Sequence, residues 1–277
     1  MISDRPLQTR SMLRRDLEAL GIRAGDHVMV HAAIRRVGPV LGGPDVLIDA
    51  LRDTAGVEGT ILAYADWGVA YDALLDAEGR VPDHWRDSIP TFDPAVSRAA
   101  PENGIFPEFL RTTPGALRSG NPGASVVALG AKALHFTVDH PLDYGYGVNS
   151  PFARLVAAGG KVLMLGAPID TMTLLHHAEH LAVIANKRIK RYEVPLAGQA
   201  GRQWRLIEEY DTSEPVSRTL PDDCFARIVD DYLALGHGRR HRVGQADSVL
   251  VDAAEITSFA IRWLENRPGD RLATAPR

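Results

Sequence analysis

Two strand-like runs, His27–Val28–Met29–Val30–His31 and Thr60–Ile61–Leu62–Ala63–Tyr64, bracket a helical segment that opens at Pro44 and carries Val46, Leu47, Ala50 and Leu51. Short apolar runs bounded by turn residues read as buried strands. A strand, a helix and a strand in that order predict a parallel pair joined by a crossover, and hence an α/β chain.

The rest of the pattern is compatible with that frame. Leu13, Leu17 and Leu20 recur at helical spacing and stop at Gly21, a C-cap position. Ala32 to Gly38 reads as a loop. Ile105–Leu110 is expected as a short helix, Ser125–Leu129 as a strand, and Ser150–Leu155 as a helix start with a Ser cap and Pro in the first turn. Lys161–Leu165 reads as a strand closing at Gly166, with a helix following before residue 185. Arg188–Val194 and Arg202–Glu209 form an expected antiparallel pair around Gly198 and Gly201. A helix from about Pro221 to Leu235, a strand at Ser248–Val251 and a helix bearing Ile256, Phe259, Trp263 and Leu264 complete the series. Residues 65–101 are irregular, with Trp67, Tyr71, Asp72 and Trp85 among prolines and glycines. They read as a substrate wall or as a packed excursion. The tail after Asn266 is expected to fray. The expectation is one domain over residues 1–277: a layered α/β/α sheet core from about 10 to 186, then a smaller mixed α+β part from about 187 to 266.

Composition excludes several functions. A formal charge of -4 argues against nucleic acid as the main partner. The single Cys224 rules out an internal disulfide and fits a reducing compartment. No apolar run approaches the roughly 18 residues that cross a bilayer, and Met1–Arg15 lacks the apolar centre of a signal peptide. A cytoplasmic location with no membrane partner is expected.

The richest chemistry lies in Thr171–Met172–Thr173–Leu174–Leu175–His176–His177–Ala178–Glu179–His180. An imidazole at 176 with a carboxylate one helical turn on, just after a strand, suits proton abstraction from a nucleophile. The same letters spell H-x-x-E-H, which on a helix could present two imidazoles to zinc. No later glutamate stands out as the third ligand, and the histidines could also serve structure alone. Gly159–Gly160–Lys161 lacks the spacing of a phosphate loop, and neither G-x-G-x-x-G nor G-x-S-x-G occurs where it would signify. Cys224 stands beside Asp222 and Asp223, whose charge disfavours a thiolate. Carboxylates at Asp66, Asp72, Glu102, Glu208, Glu209, Asp211, Asp222 and Asp223, with Tyr64 and Trp67, suggest an anionic, aromatic-edged cleft for a polyamine-like ligand.

A series of segments resembles the aminoglycoside 3-N-acetyltransferases. It begins with Met29–Val30–His31–Ala32–Ala33–Ile34 and Val37–Gly38, then Tyr64–Ala65–Asp66–Trp67 and Phe92–Asp93–Pro94. Arg118–Ser119, Asn121–Pro122, Ser125, Gly147 and Ser150–Leu155 follow in the same order. Leu165–Gly166–Ala167, Thr173–His176 with Ala178–Glu179, Asn186–Arg188, Tyr210–Asp211, Asp223–Phe225, Val243–Gly244, Ala246 and Trp263–Glu265 continue it. The resemblance covers about residues 10–266.

It implies that family's own α/β fold, distinct from GCN5-like acetyltransferases. It also implies transfer of acetyl from acetyl-CoA to the 3-amino group of a 2-deoxystreptamine ring, with no metal. The T-x-x-H-x-A-E motif falls on Thr173, His176, Ala178 and Glu179, making His176 the catalytic base and Glu179 its partner or a substrate contact. Substrate contacts are expected from Tyr64, Asp66, Trp67, Glu102, Asn121, Asp211 and Asp223. Cofactor contacts are expected from His31, Ala32, Ala33, Ile34, Arg36, Val37, Gly38, Ser119, Ser150 and Phe152, with Arg35 and Arg118 as further candidates. Two departures stand out: Ala32 and Ala33 replace serines, so contact there falls to backbone N–H groups, and Asn121 replaces a histidine before Pro122. A binder that sequesters the drug without chemistry is the rival from another class.

Overall fold

Along the first strand, Val28 and Val30 pack into one core and Met29 into another. That alternation is what a sheet covered on both faces requires. The computed structural model describes residues 6–67, 71–198 and 201–266, so the tail expected to fray lies outside the described residues.

In chain order the first half comprises α1 (Arg10–Leu20), β1 (His27–Ala32), α2 (Ile34–Val37), α3 (Pro44–Ala55), β2 (Thr60–Tyr64), α4 (Asp83–Arg86), α5 (Phe106–Thr112), β3 (Leu117–Arg118), β4 (Val126–Gly130), α6 (Ala133–Thr137) and α7 (Pro151–Ala157). The second half comprises β5 (Lys161–Leu165), α8 (Leu174–Leu181), β6 (Ile189–Gly198), β7 (Gly201–Tyr210), α9 (Cys224–Ala234), β8 (Arg239–Val243), β9 (Ala246–Asp252) and α10 (Ala253–Glu265). Seven strands form one sheet in the order β3-β4-β2-β1-β5-β9-β8. β1 is parallel to both β2 and β5, so the expected crossover pair is borne out. The outer pairings are antiparallel.

One face packs α1, α3 and α5 through Leu13, Leu17, Leu47, Leu51, Phe106 and Leu110. The other packs α7, α8 and α10 through Phe152, Leu155, Leu175, Ile256 and Leu264. Burying a side chain of this size is worth roughly 1.5–3 kcal/mol. The result is the expected α/β/α layering.

The boundary at residue 187 is corrected. β6 and β7 form a separate two-stranded hairpin, but β8 and β9 return to the main sheet and α10 to its covering layer. The pairing of β9 with β5 explains this. Its apolar run is buried on the sheet, so it cannot belong to an independent part. Further elements differ from the expectation, among them the short α4, β3 and α6, which the sequence reading does not include. The Ala32–Gly38 loop contains α2. The edge strand β8 went unseen because Arg239, Arg240, His241 and Arg242 are all exposed, leaving no apolar period to read. The irregular excursion packs on the hairpin: Phe92 bridges to Leu196, and the Tyr71 hydroxyl donates to Glu193 O at 2.9 Å. Among the described residues no helix is long and apolar enough to cross a membrane.

Candidate active site

Because β1, β2 and β5 are parallel, their carboxyl ends open on one side of the sheet. The connections diverge about β1, the place where open α/β sheets leave a crevice. β1 delivers His31, Ala32 and Ala33 there, and β2 delivers Tyr64. β5 leads through a short turn, Ile169–Thr171, into α8.

Helical spacing brings His176 and Glu179 together: Nδ1 lies 2.8 Å from Glu179 Oε2. An ionised carboxylate only accepts, so Nδ1 carries the hydrogen and Nε2 keeps its lone pair. The Glu179 side chain is 3% exposed and that of His176 is 22% exposed, so a dry carboxylate stands behind a reachable imidazole. Aromatic rings flank the imidazole, Phe225 at 4.8 Å and Tyr146 at 5.0 Å between centroids.

His176 and Glu179 line a cleft of about 270 Å³ together with Asp170, Glu214, Asp222 and the Thr212–Pro215 segment. Four carboxylates and no Lys or Arg line it, a charge pattern that attracts cations. A second cleft of about 240 Å³ is lined by His31, Ala32, Ala33, Tyr64, Glu102 and Asn103. Thr171 and Thr173 line both clefts, so the two meet at the entrance to α8. His31 Nε2 is buried there without a hydrogen-bond partner among the described residues, and burial pushes the ring down to about 4. The neutral ring thus stands at the wall of the cleft with its Nε2 sealed from solvent.

The H-x-x-E-H letters do not converge on one point. His176 turns to Glu179, whereas His180 Nε2 lies 2.9 Å from Glu209 on β7. His176 and Glu179 are thus committed to each other and His180 to a different carboxylate.

The remaining expected residues divide by location. Asp66 is bonded by Asn103 Nδ2, and burial raises its pKa. Trp67 packs edge-on to Tyr71 and against Phe92. Ile34 packs on the core, Val37 is fully buried in it, and Arg36 Nη1 donates to Gly166 O at 2.8 Å. Gly38 has a φ of 93°, and a Cβ there would meet the Gln245 side chain at 2.8 Å, so the turn needs glycine. Arg35 and Arg36 edge a shallow hollow with Gln245 and Asp247.

Several of the residues expected as contacts are hydrogen-bonded or packed within the chain. Asn121 donates to Pro141 O and Leu142 O and accepts from Gly123 N and Ala124 N, so its amide is saturated. Ser119 accepts from Val126 N and bonds His140 Nδ1, Ser150 caps α7, and Phe152 is fully buried. Arg118 donates to Ala65 O, Ser97 O and Ser125 Oγ, and burial pushes it down to about 10. Asp211 is held by Arg188 and Ser213 and anchors the segment that walls the acidic cleft. The Asp223 carboxylate pairs with Arg227 on the exposed side of α9, while its neighbour Asp222 lines the acidic cleft. Asp170, Asn103, Glu214 and Tyr146 were missed. Only Asp170, next to the Thr171–His180 segment, carried a usable signal.

Burial also pushes His140 down to about 4. On unfolding, His31 and His140 return toward about 6.5, so the unfolded chain binds more protons in that interval. Their contribution to stability is complete above about pH 6.5 and is lost as pH falls toward 4. A melting temperature that declines across this window is the expected outcome. A flat one would contradict it.

Fold and site together define an α/β protein with a histidine–carboxylate pair where an acidic cleft meets a second one. The family profile described as aminoglycoside 3-N-acetyltransferase matches residues 29–265. An aminoglycoside N(3)-acetyltransferase III from Pseudomonas aeruginosa is 47% identical over 253 residues, covering 91% of this chain and 92% of its own. Among solved structures, AAC-IIIb in binary complex with CoASH is 61% identical with a TM-score of 0.93, covering 98% and 100% of the two chains. AAC-VIa bound to sisomicin is 39% identical with a TM-score of 0.89, covering 94% and 98%. The chain belongs to the aminoglycoside 3-N-acetyltransferase family, a family of acyltransferases, and the resemblance read from its segments is borne out.

Proposed function

We propose that this chain transfers the acetyl group of acetyl-CoA to the 3-amino group of the 2-deoxystreptamine ring of aminoglycoside antibiotics. The transfer is direct, has His176 as general base and confers resistance in the cytoplasm. The observation that carries the reading is the His176–Glu179 pair on the acidic cleft, which meets the His31–Ala33 cleft across Thr171 and Thr173. The family match and the CoASH and sisomicin complexes of its relatives support it.

Only a deprotonated amine attacks a thioester, and aminoglycoside amines are largely protonated at neutral pH. Asp170, Glu214 and Asp222 draw the polycation in, the reacting ammonium gives one proton to solvent to become the free amine, and His176 Nε2 accepts the second proton, which the amine sheds as it attacks. The new N–C bond forms as the C–S bond breaks. The leaving thiolate takes the proton back from His176, and Glu179 steadies the imidazolium in between. The second cleft suits the acyl donor: His31, Ala32 and Ala33 wall it, and the Ala32 and Ala33 backbone takes the place of absent hydroxyls. Holding both reactants at one border supplies the proximity on which such a transfer depends.

Free-thiol release from acetyl-CoA on adding an aminoglycoside, with mass spectrometry locating the new amide, tests the reading. Drug retention without thiol release would leave only a sequestering binder. Asp222→Asn and Glu214→Gln are each expected to raise the acceptor KM about three- to tenfold, since exposed carboxylates are partly screened. The acetyl-CoA KM should stay put. Equal rises in both constants would remove these residues from acceptor binding.

A further inference from the structure

Tyr146 is the one ring against the base that comes from an irregular segment, and its neighbours tie that segment down unusually tightly. Its ring also lies 5.3 Å from Phe152, and its hydroxyl is 2.7 Å from that of Tyr64. The Tyr64 hydroxyl in turn bonds Gly123 O at 2.9 Å. Tyr144 N donates to Glu208 O of β7 and Gly147 N to Tyr144 O, and between them the backbone groups nearest the ring are met by buried side chains. Gly145 N donates to Glu209 Oε2 at 2.6 Å, and Gly145 O accepts from His140 Nε2 at 2.7 Å. Tyr146 O accepts from His177 Nδ1 at 2.7 Å.

Each fastener is itself held. His177 is 3% exposed and follows the base directly on α8, and a carbonyl can only accept, so His177 Nδ1 bears the hydrogen. Glu209 also accepts from Tyr210 N at 2.8 Å and pairs with His180 one turn beyond the base. His140 Nδ1 meets the Ser119 hydroxyl at 2.8 Å. None of His140, His177, His180 and Glu209 lines either cleft. These four groups, none of them used by the transfer chemistry, therefore converge on one short loop, and that loop presents one ring to the base.

We propose that His177, with Glu209 and His140, acts as a positioning residue for the base by fixing the Gly145–Tyr146 backbone so that the Tyr146 ring sets the orientation of the His176 imidazole. The inference rests on the reading of His176 as general base. An imidazole free to swivel about its side-chain torsions spends less time aimed at the amine, and small misplacements of a catalytic group cost turnover more than binding.

The test exploits the fact that an asparagine amide N–H can stand roughly where a histidine Nδ1–H does. In the full chain, His177→Leu is expected to lower kcat roughly ten- to a hundredfold. Both KM values should stay within about twofold, and the His176 Hε1 resonance should lose its ring-current shift from Tyr146. His177→Asn is expected to restore most of kcat and the resonance position. A His177→Leu variant with unaltered kcat overturns the proposal, as does a His177→Asn variant as slow as His177→Leu. Should His177→Leu fail to fold, Tyr146→Phe and Tyr146→Leu decide. Phenylalanine is expected to keep turnover and leucine to lose it, and equal turnover in the two refutes the positioning role. A wild-type chain that transfers no acetyl defeats the underlying reading. An active wild type with indifferent variants defeats only this inference.

Discussion

His176→Ala is expected to lower kcat by at least ~100-fold while the chain stays folded, since general bases contribute about 10²–10⁴. The fold should tolerate the change because His176 is partly exposed at the cleft and its ring supports no core cluster. The local cost falls on Glu179, a buried carboxylate that loses its hydrogen-bond donor but keeps the field of the Lys187 ammonium. Acceptor KM should change little, since Asp170, Glu214 and Asp222 remain in place. Steady-state kinetics with a circular-dichroism melt would measure both effects. Turnover near that of the wild type would remove His176 from the chemistry.

Glu179→Gln should be nearly as damaging although it removes no volume. The carboxylate can only accept, which forces hydrogen onto Nδ1 and leaves Nε2 basic. A carboxamide can turn its N–H toward Nδ1 instead, which moves the ring hydrogen to Nε2 and leaves no lone pair for the amine. An analogous carboxylate-to-amide exchange in serine proteases costs about 10⁴ through the wrong tautomer. A loss in kcat on the order of 10² or more is expected, with nitrogen NMR reporting the tautomer of His176. A variant with intact kcat and a raised acceptor KM would mean that Glu179 grips the substrate rather than the ring.

The sequence made some features plain and hid others for physical reasons. The strand Lys161–Leu165 was readable to the residue because an apolar run ending in glycine has few alternatives. His176 and Glu179 were readable because helical spacing alone brings them together. Asp222 and Asp223 could not be told apart. One residue of rotation at a helix start decides which carboxylate meets the cleft, and only tertiary packing fixes that rotation. Asn121, Ser119, Ser150 and Phe152 sit in segments shared with the family, yet a shared segment does not separate a residue that touches a ligand from one that holds a turn. Tyr146 lies 30 positions before His176 along the chain, and no local period reports a contact across that span.

The two margins of the main sheet bear on how this protein behaves when crowded. β3 offers only two residues as a template, too few to recruit another chain. β8 offers five but lines them with three exposed guanidinium groups, two of them paired with Asp230 and Asp247, a charged edge of the kind that discourages added strands. The margins of the main sheet therefore give strand-by-strand growth little to start on, and its charged edge favours solubility.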